Sequence, residues 1–248
     1  MPYPIKRKGE GNIIIAPIEI ETAPAQRFSN AARQKGGPDR LSGRDLTERE
    51  RIELIKKLRE HAVVLDSKKH IGSGVIIHAG KKGTAILTNG HVVVSRSKRV
   101  PQLEIHNEGL VAPVSKILLA PRPLDLALVI GPPGIGSAID FEWDTDFEKE
   151  VQIGSKVLVV GASDGIPDTV SSGIISNLLP TEARKVKYYL IQTDAAVNQG
   201  NSGGPMVLER TRKLIGIVTS KADAEGIAFA LPITVLNEFP IEKWREVK

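Results

Sequence analysis

Cysteine is absent from the 248 residues, so no disulfide holds this chain together, which suits a reducing compartment. Aromatics are scarce as well: five Phe, three Tyr and two Trp leave the core to Ile, Val, Leu and Ala. The net charge is +5, but the basic residues are scattered and few aromatics lie among them. No nucleic-acid-binding motif appears, and a nucleic-acid partner is not expected. No apolar run approaches the roughly 18–20 residues that cross a membrane. Pro2, Pro4, Lys6, Arg7, Lys8 and Glu10 leave no apolar stretch for a signal peptide. With Met1 as the natural start, the expectation is a cytoplasmic protein; an export signal upstream would reverse it. Gly72-Ser73-Gly74 lacks the lysine of a phosphate-binding loop and reads as a strand turn or bulge. The histidines at 61, 70, 78, 91 and 106 show no zinc-site spacing, so no metal or cofactor is expected.

What is present is ordinary for a soluble globular chain: 41% hydrophobic and 25% charged residues, enough for one large domain or two lobes sharing a cleft. Residues 1–46 stand apart as an extension. Gly9, Gly11, Pro17, Pro24, Gly36, Gly37, Pro38 and Gly43 punctuate it, and only Asn12–Ile20, with five isoleucines, suits an added strand. Thr47-Glu48-Arg49-Glu50 is a capping box, and Ile52, Ile55, Leu58 and Ala62 mark an apolar helical face through about residue 60. Short apolar runs then alternate with turn residues: 62–65, 75–78, 85–87, 92–94, 126–130, 156–160, 173–175, 188–192 and 214–218. Many short strands without intervening helices predict an all-β barrel or sandwich. Pro232 is expected to open a short closing helix.

The most informative stretch is Asp194-Ala195-Ala196-Val197-Asn198-Gln199-Gly200-Asn201-Ser202-Gly203. A serine in a glycine-rich turn between two apolar segments exposes its hydroxyl and gathers backbone N–H groups in one small space. Acyl transfer needs that pairing: a nucleophile beside donors aimed at a developing oxyanion. Serine also needs a base, and the base needs an orienting carboxylate. His91, following Thr88-Asn89-Gly90, is the candidate base, and Asp125, preceding Leu126-Ala127-Leu128-Val129, is the candidate carboxylate. Each alone reads more simply as a structural residue. Asp140, Asp144 and Asp146 are weaker competitors in an acidic loop.

Six ordered segments carry a resemblance: Gly72–Ile77, Leu87–Val93, Asp125–Val129, Val170–Ser176, Gln192–Pro205 and Gly226–Pro232. Together they resemble a trypsin-like, chymotrypsin-fold serine protease of the HtrA/Deg type across residues 47–240. The resemblance implies two six-stranded β-barrels with the active site between them, plus an N-terminal and a short C-terminal helix. It implies Ser202 as nucleophile, His91 as general base, Asp125 as its orienter, and the N–H groups of Gly200 and Ser202 as the oxyanion hole. Secreted relatives usually carry disulfides, so a cysteine-free chain fits a reducing compartment or the disulfide-poor prokaryotic branch.

The resemblance further implies that Ala196, aligned six residues before Ser202, takes the place of a pocket-floor aspartate. Lys or Arg before the cleaved bond is therefore not expected. Ala196, Val197 and Val218 are expected to line a pocket for small or medium aliphatic residues. Gly216–Ser220, including Thr219, should present backbone groups to an extended substrate. Relatives commonly trimerise through N-terminal segments, which makes the 1–46 arm, with Tyr3 and Phe28 as anchors, a candidate homo-oligomer contact. Relatives also usually carry a PDZ domain after the protease region, and no room for one is expected before residue 248.

Two positions depart from the pattern. Gly90 replaces an alanine, a change expected to alter local stiffness more than chemistry. Gly161-Ala162-Ser163-Asp164-Gly165 replaces Gly-Asn-Pro-Phe-Gly beside an oxyanion loop, about 197–201, that can rest inactive in relatives; altered regulation with intact chemistry is expected. The leading functional expectation is an ATP-independent endopeptidase acting on unfolded or damaged polypeptides. The alternatives are a binding or chaperone-like module with dormant catalysis, and a processing protease with one dedicated partner or its own N-terminal segment as substrate.

Overall fold

The structure, a computed structural model, describes residues 45–67, 70–94, 103–139, 147–221 and 226–247. The expected strand at 12–20 with its anchors Tyr3 and Phe28, and Asp140, Asp144 and Asp146, lie outside these residues.

Helix α1 (Glu48–His61) opens on the expected capping box. The Thr47 hydroxyl accepts the Glu50 N–H at 3.3 Å, and the Glu50 carboxylate accepts the Thr47 N–H at 2.8 Å. Its buried stripe is Leu54 and Leu58, four residues apart, with Ile55 partly buried beside them. Ile52 is exposed, because a spacing of three repeated twice walks off the face that faces the core. Arg51 anchors the helix to the second lobe through Glu209, at 2.7 Å.

Two curled sheets follow, as expected for this all-β class. The first contains β1 (Ala62–Asp66), β2 (Ile71–Gly80), β3 (Gly83–Thr88), β4 (Glu104–Asn107), β5 (Leu110–Pro113), β6 (Lys116–Leu119), β7 (Ala127–Gly131) and the C-terminal β14 (Arg245–Glu246). Their order is β14-β6-β7-β3-β2-β1-β4-β5. The second contains β8 (Lys156–Ser163), β9 (Ile166–Ala183), β10 (Val186–Thr193), β11 (Pro205–Leu208), β12 (Lys213–Lys221) and β13 (Ala228–Pro232), closed as β10-β13-β12-β11-β8-β9. This is the six-stranded barrel expected. The first sheet has eight strands where six were expected; one of the additions is β14, which the chain pairs with β6 on its return from the second lobe, Arg245 against Leu119.

Many strands are apolar at consecutive positions because both of their faces are buried. Along β8, Val157 and Val159 point into the second barrel, while Leu158 and Val160 join a cluster shared between the lobes. Along β7, Ala127 and Val129 fill the first lobe, and Leu128 and Ile130 enter the same shared cluster. Strand alternation thus builds three cores from two sheets, with α1 and the closing segment (Val235, Leu236, Phe239 and Trp244) sealing the one between them.

Two segments differ from expectation. Val92 and Val93, read as strand, lie in a helical turn, α2 (Gly90–Val93), where the Val94 N–H reaches the Gly90 carbonyl at 3.0 Å. Pro232 ends β13 rather than opening a helix: lacking an N–H it stops the ladder, and the closing turn of helix is Val235–Glu238.

Candidate functional site

His91 stands on the short helix α2, on the first lobe, facing the loop that precedes β7. Its backbone N–H donates to Asp125 Oδ1 at 2.9 Å, and its ring Nδ1 bonds Asp125 Oδ2 at 2.5 Å. A carboxylate on Nδ1 selects the tautomer whose proton is on Nδ1, which leaves the Nε2 lone pair free to accept one. Asn89, fully buried, supports the loop from the other side, its amide donating to the Asp125 carbonyl at 2.9 Å. The Thr219 hydroxyl gives Asp125 Oδ2 a further bond at 3.3 Å. Partial burial pushes the Asp125 carboxyl upward; the bonds and charge of His91, with help from Thr219, outweigh it and hold the group below its ordinary value. A Cβ on Gly90 would stand 3.0 Å from Asp125 Oδ1, a tight contact that a shift of a few tenths of an ångström in the carboxylate relieves.

Ser202 lies in the turn before β11, on the second lobe. The turn is fastened by Gly203 N–H to Val218 O (2.7 Å), Val218 N–H to Gly204 O (2.9 Å) and Asn201 N–H to Asn198 O (3.1 Å). The Ser202 hydroxyl donates to the Thr219 carbonyl at 3.3 Å, and not to the His91 ring. The N–H groups of Gly200 and Ser202, like those of residues 196–199 before them, have no acceptor among the described residues. The reason is visible one peptide earlier. The Gln199 carbonyl accepts the Asp164 N–H at 2.7 Å, and in a trans peptide this turns the Gly200 N–H to the opposite side. Gly200 has φ +98°, and a Cβ there would overlap the Ala162 carbonyl oxygen, so glycine is required on both counts.

The expected substrate-binding residues divide. Ala196 is exposed and Thr219 half-buried, but Val197 and Val218 are buried in the second barrel. Val218 is fully buried at a register irregularity of β12, so what it offers the site is its backbone, through the bond from the Gly203 N–H. Asp194 is engaged elsewhere: Oδ1 accepts the Ile174 N–H at 2.6 Å, and the missing Cβ of Gly173 makes the room. His61 bonds the Ser137 carbonyl through Nδ1 at 2.9 Å, a structural role. Among the described residues no cluster of His, Asp or Glu could hold a metal ion, and no helix is long and apolar enough to cross a membrane.

The trypsin-like peptidase domain profile matches residues 72–217, which contain His91, Asp125 and Ser202. The chain belongs to the trypsin-like peptidase family. Among its curated relatives, the serine protease HhoA of Synechocystis is 36% identical over 177 residues, covering 65% of this chain and 40% of that protein. The Do-like serine protease HtrA of Bacillus subtilis is 33% identical over 178 residues, covering 67% of this chain and 38% of that one. The chain therefore spans about two fifths of the length of these relatives. Among solved structures, a serine endoprotease from Yersinia pestis superposes with a TM-score of 0.60 at 29% identity, covering 76% of this chain and 64% of that one. These are the HtrA/Do-type trypsin-like peptidases that the sequence motifs resemble.

The sequence reading missed three contributors to this peptidase-family site: Thr219 as a partner of Asp125, Asp164 as the anchor of Gln199, and Ser73, which reaches in from the first lobe. Ser73 left a signal, a polar residue between two glycines, and Asp164 lies in the 161–165 segment that the sequence sets beside the oxyanion loop.

Proposed function

We propose that the chain is a serine endopeptidase that hydrolyses peptide bonds of unfolded or damaged polypeptides, without ATP. The observation that carries this reading is the His91–Asp125 pair on one lobe, beside a serine turn on the other whose Gly200 and Ser202 N–H groups are unclaimed. In the reaction, the Ser202 hydroxyl leaves the Thr219 carbonyl and turns to His91 Nε2, which takes its proton as Oγ attacks the substrate carbonyl. The Gly200 and Ser202 N–H groups bind the oxyanion. Asp125, its carboxyl held below the ordinary range, stays ionised and stabilises the imidazolium. His91 then passes the proton to the leaving amine, and a water molecule repeats the sequence on the acyl-enzyme.

Among the described residues, Asp194 is engaged by the Ile174 N–H and position 196 is alanine, so neither offers a basic side chain a free carboxylate, which supports small or medium aliphatic residues before the cleaved bond. Of the stretch 216–220, Gly216–Val218 are hydrogen-bonded on both sides, so it is Thr219 and Ser220, beyond the pairing with β11, that take the extended substrate by the backbone. Assembly as a homo-oligomer, a trimer, belongs to the same proposal, with sedimentation as its check.

A second reading, a binding module with dormant catalysis, is favoured by one observation: the Ser202 hydroxyl rests on Thr219 and not on His91. A fluorophosphonate probe separates the two. Labelling lost in Ser202→Ala, together with casein turnover, establishes the peptidase. Folded protein that neither labels nor cleaves establishes the binding module. Cleavage of a single native protein, or only of residues 1–46, moves the reading to a dedicated processing enzyme.

A further inference from the structure

We infer that Ser73 is a positioning residue for the oxyanion donors, through which the first lobe fixes the geometry of the second. The inference rests on the peptidase reading and deepens it. Ser73 lies on β2 and is 0% exposed. Its hydroxyl donates to the Gly200 carbonyl at 2.6 Å and accepts the Ala162 N–H at 2.9 Å. Because the Ala162 N–H can only donate, the serine proton has one place to go, and the direction of this relay is fixed. The Ser73 backbone N–H donates to the Ser202 carbonyl at 2.8 Å, and the Ser73 carbonyl accepts the Thr88 hydroxyl at 2.6 Å.

Three of these four partners belong to the site's segments, and the fourth, Ala162, lies beside them on β8. Gly200 and Ser202 bear the N–H groups assigned to the oxyanion, and both are unclaimed. Thr88 directly precedes Asn89-Gly90-His91, so the same residue ties the base's segment to the nucleophile's. The Gly200 carbonyl held by Ser73 and the Gln199 carbonyl held by Asp164 fasten two successive peptides. The Gly200 N–H between them is left with one orientation. At φ +98° and without a Cβ, Gly200 has little intrinsic resistance to a peptide flip, so its orientation depends on these bonds.

Glycines surround the serine where space demands them. Cβ atoms on Gly72 and Gly74 would stand 2.5 Å from Val92 and Ile86, one on Gly161 would stand 2.8 Å from Ser73 Oγ, and one on Gly203 would overlap the Ser73 carbonyl oxygen. The two backbone bonds would be made by any residue at 73, but a serine that merely filled space would not need its hydroxyl bonded on both sides, to the Gly200 carbonyl and to the Ala162 N–H. Alanine at 73 would leave the Ala162 N–H and the Gly200 carbonyl buried without their partner.

The test compares wild type, Ser73→Ala and Ser73→Cys, the last keeping shape and a weakened donor in case alanine does not fold. The readouts are fluorophosphonate labelling rate, and kcat and KM on one peptide ester. Ser73→Ala is expected to lose about tenfold to a hundredfold in kcat and labelling rate, short of the 10²–10³ of outright donor removal, with KM little changed. Ser73→Cys should fall between the two. A purely structural role would lower thermal stability while folded protein at reduced temperature kept wild-type kcat, and that result overturns the inference. So does wild-type labelling by Ser73→Ala, or by Ser73→Cys if alanine does not fold. A wild type that never labels defeats the peptidase reading itself, and this inference with it.

Discussion

Replacing Asp125 with asparagine leaves shape and size nearly unchanged and removes one acceptor, which makes it the most exacting test of the site. Oδ1 accepts the His91 backbone N–H, while Oδ2 accepts from His91 Nδ1 and from the Thr219 hydroxyl. Three donors converge on two oxygens, and an amide offers one oxygen. If the asparagine oxygen faces the ring, its NH₂ confronts the His91 backbone N–H, and two donors meet. If the NH₂ faces the ring, Nδ1 must become the acceptor, Nε2 carries the proton, and His91 can no longer take one from Ser202. The first arrangement loses a charge-assisted bond of about 1.5–3 kcal/mol, reduced here because the carboxylate is partly exposed. The second disables the base. The corresponding carboxylate-to-amide change in a Ser-His-Asp triad costs on the order of 10⁴ in kcat, equivalent to about 5.5 kcal/mol of barrier. Asp125→Asn should therefore lose about 10³–10⁴ in kcat on a peptide ester, with Tm falling only a few degrees. Kinetics and calorimetry on the same preparation decide it. A folded Asp125→Asn enzyme within tenfold of wild-type kcat would falsify the assignment of Asp125 as the orienting carboxylate.

Gly200→Ala should reduce kcat by about 10²–10³ through loss of one oxyanion donor, since neither φ +98° nor the Ala162 carbonyl accommodates a side chain; unchanged labelling kinetics would remove Gly200 from the site. Leu158→Ala, which empties a fully buried position in the cluster between the lobes, should destabilise by about 2–5 kcal/mol in urea titration, whereas Tyr189→Ala on the exposed face of β10 should stay within about 0.5 kcal/mol. The pH dependence has a defined sign. Asp125 has a folded pKa below its unfolded one, so its contribution is present above the unfolded value and lost as pH falls through the folded value. The Tm difference between wild type and Asp125→Asn should hold from neutral pH to about pH 4 and close below it; a difference that widens in acid would contradict the pairing.

Legibility followed the range of the forces involved. The capping box of α1 was readable because its bonds lie within three residues, and the strand runs because burial on both faces makes them continuously apolar. Val92 and Val93 were misread for the complementary reason. Their β-branched side chains favour strand, and a helical turn held by Asn89, Gly90 and the Asp125 contact overrides that preference. Sequence places Val218 beside Thr219 but does not give its depth, and its side chain is fully buried in the second barrel.

By itself the sequence determined the all-β class, the order of the segments and the residue types at the site: a serine among glycines, a histidine after Thr88-Asn89, an aspartate before an apolar run. These are local patterns, and local hydrogen bonding, alternation and chain order suffice to specify them. Only the tertiary structure decided how they act together. His91 and Asp125 are 34 residues apart and Ser73 and Gly200 are 127 apart, and both meet in hydrogen bonds. Nothing in the intervening sequence encodes a bond of that span. It is set by two sheets closing on a shared core, which brings a serine of the first lobe against the oxyanion turn of the second.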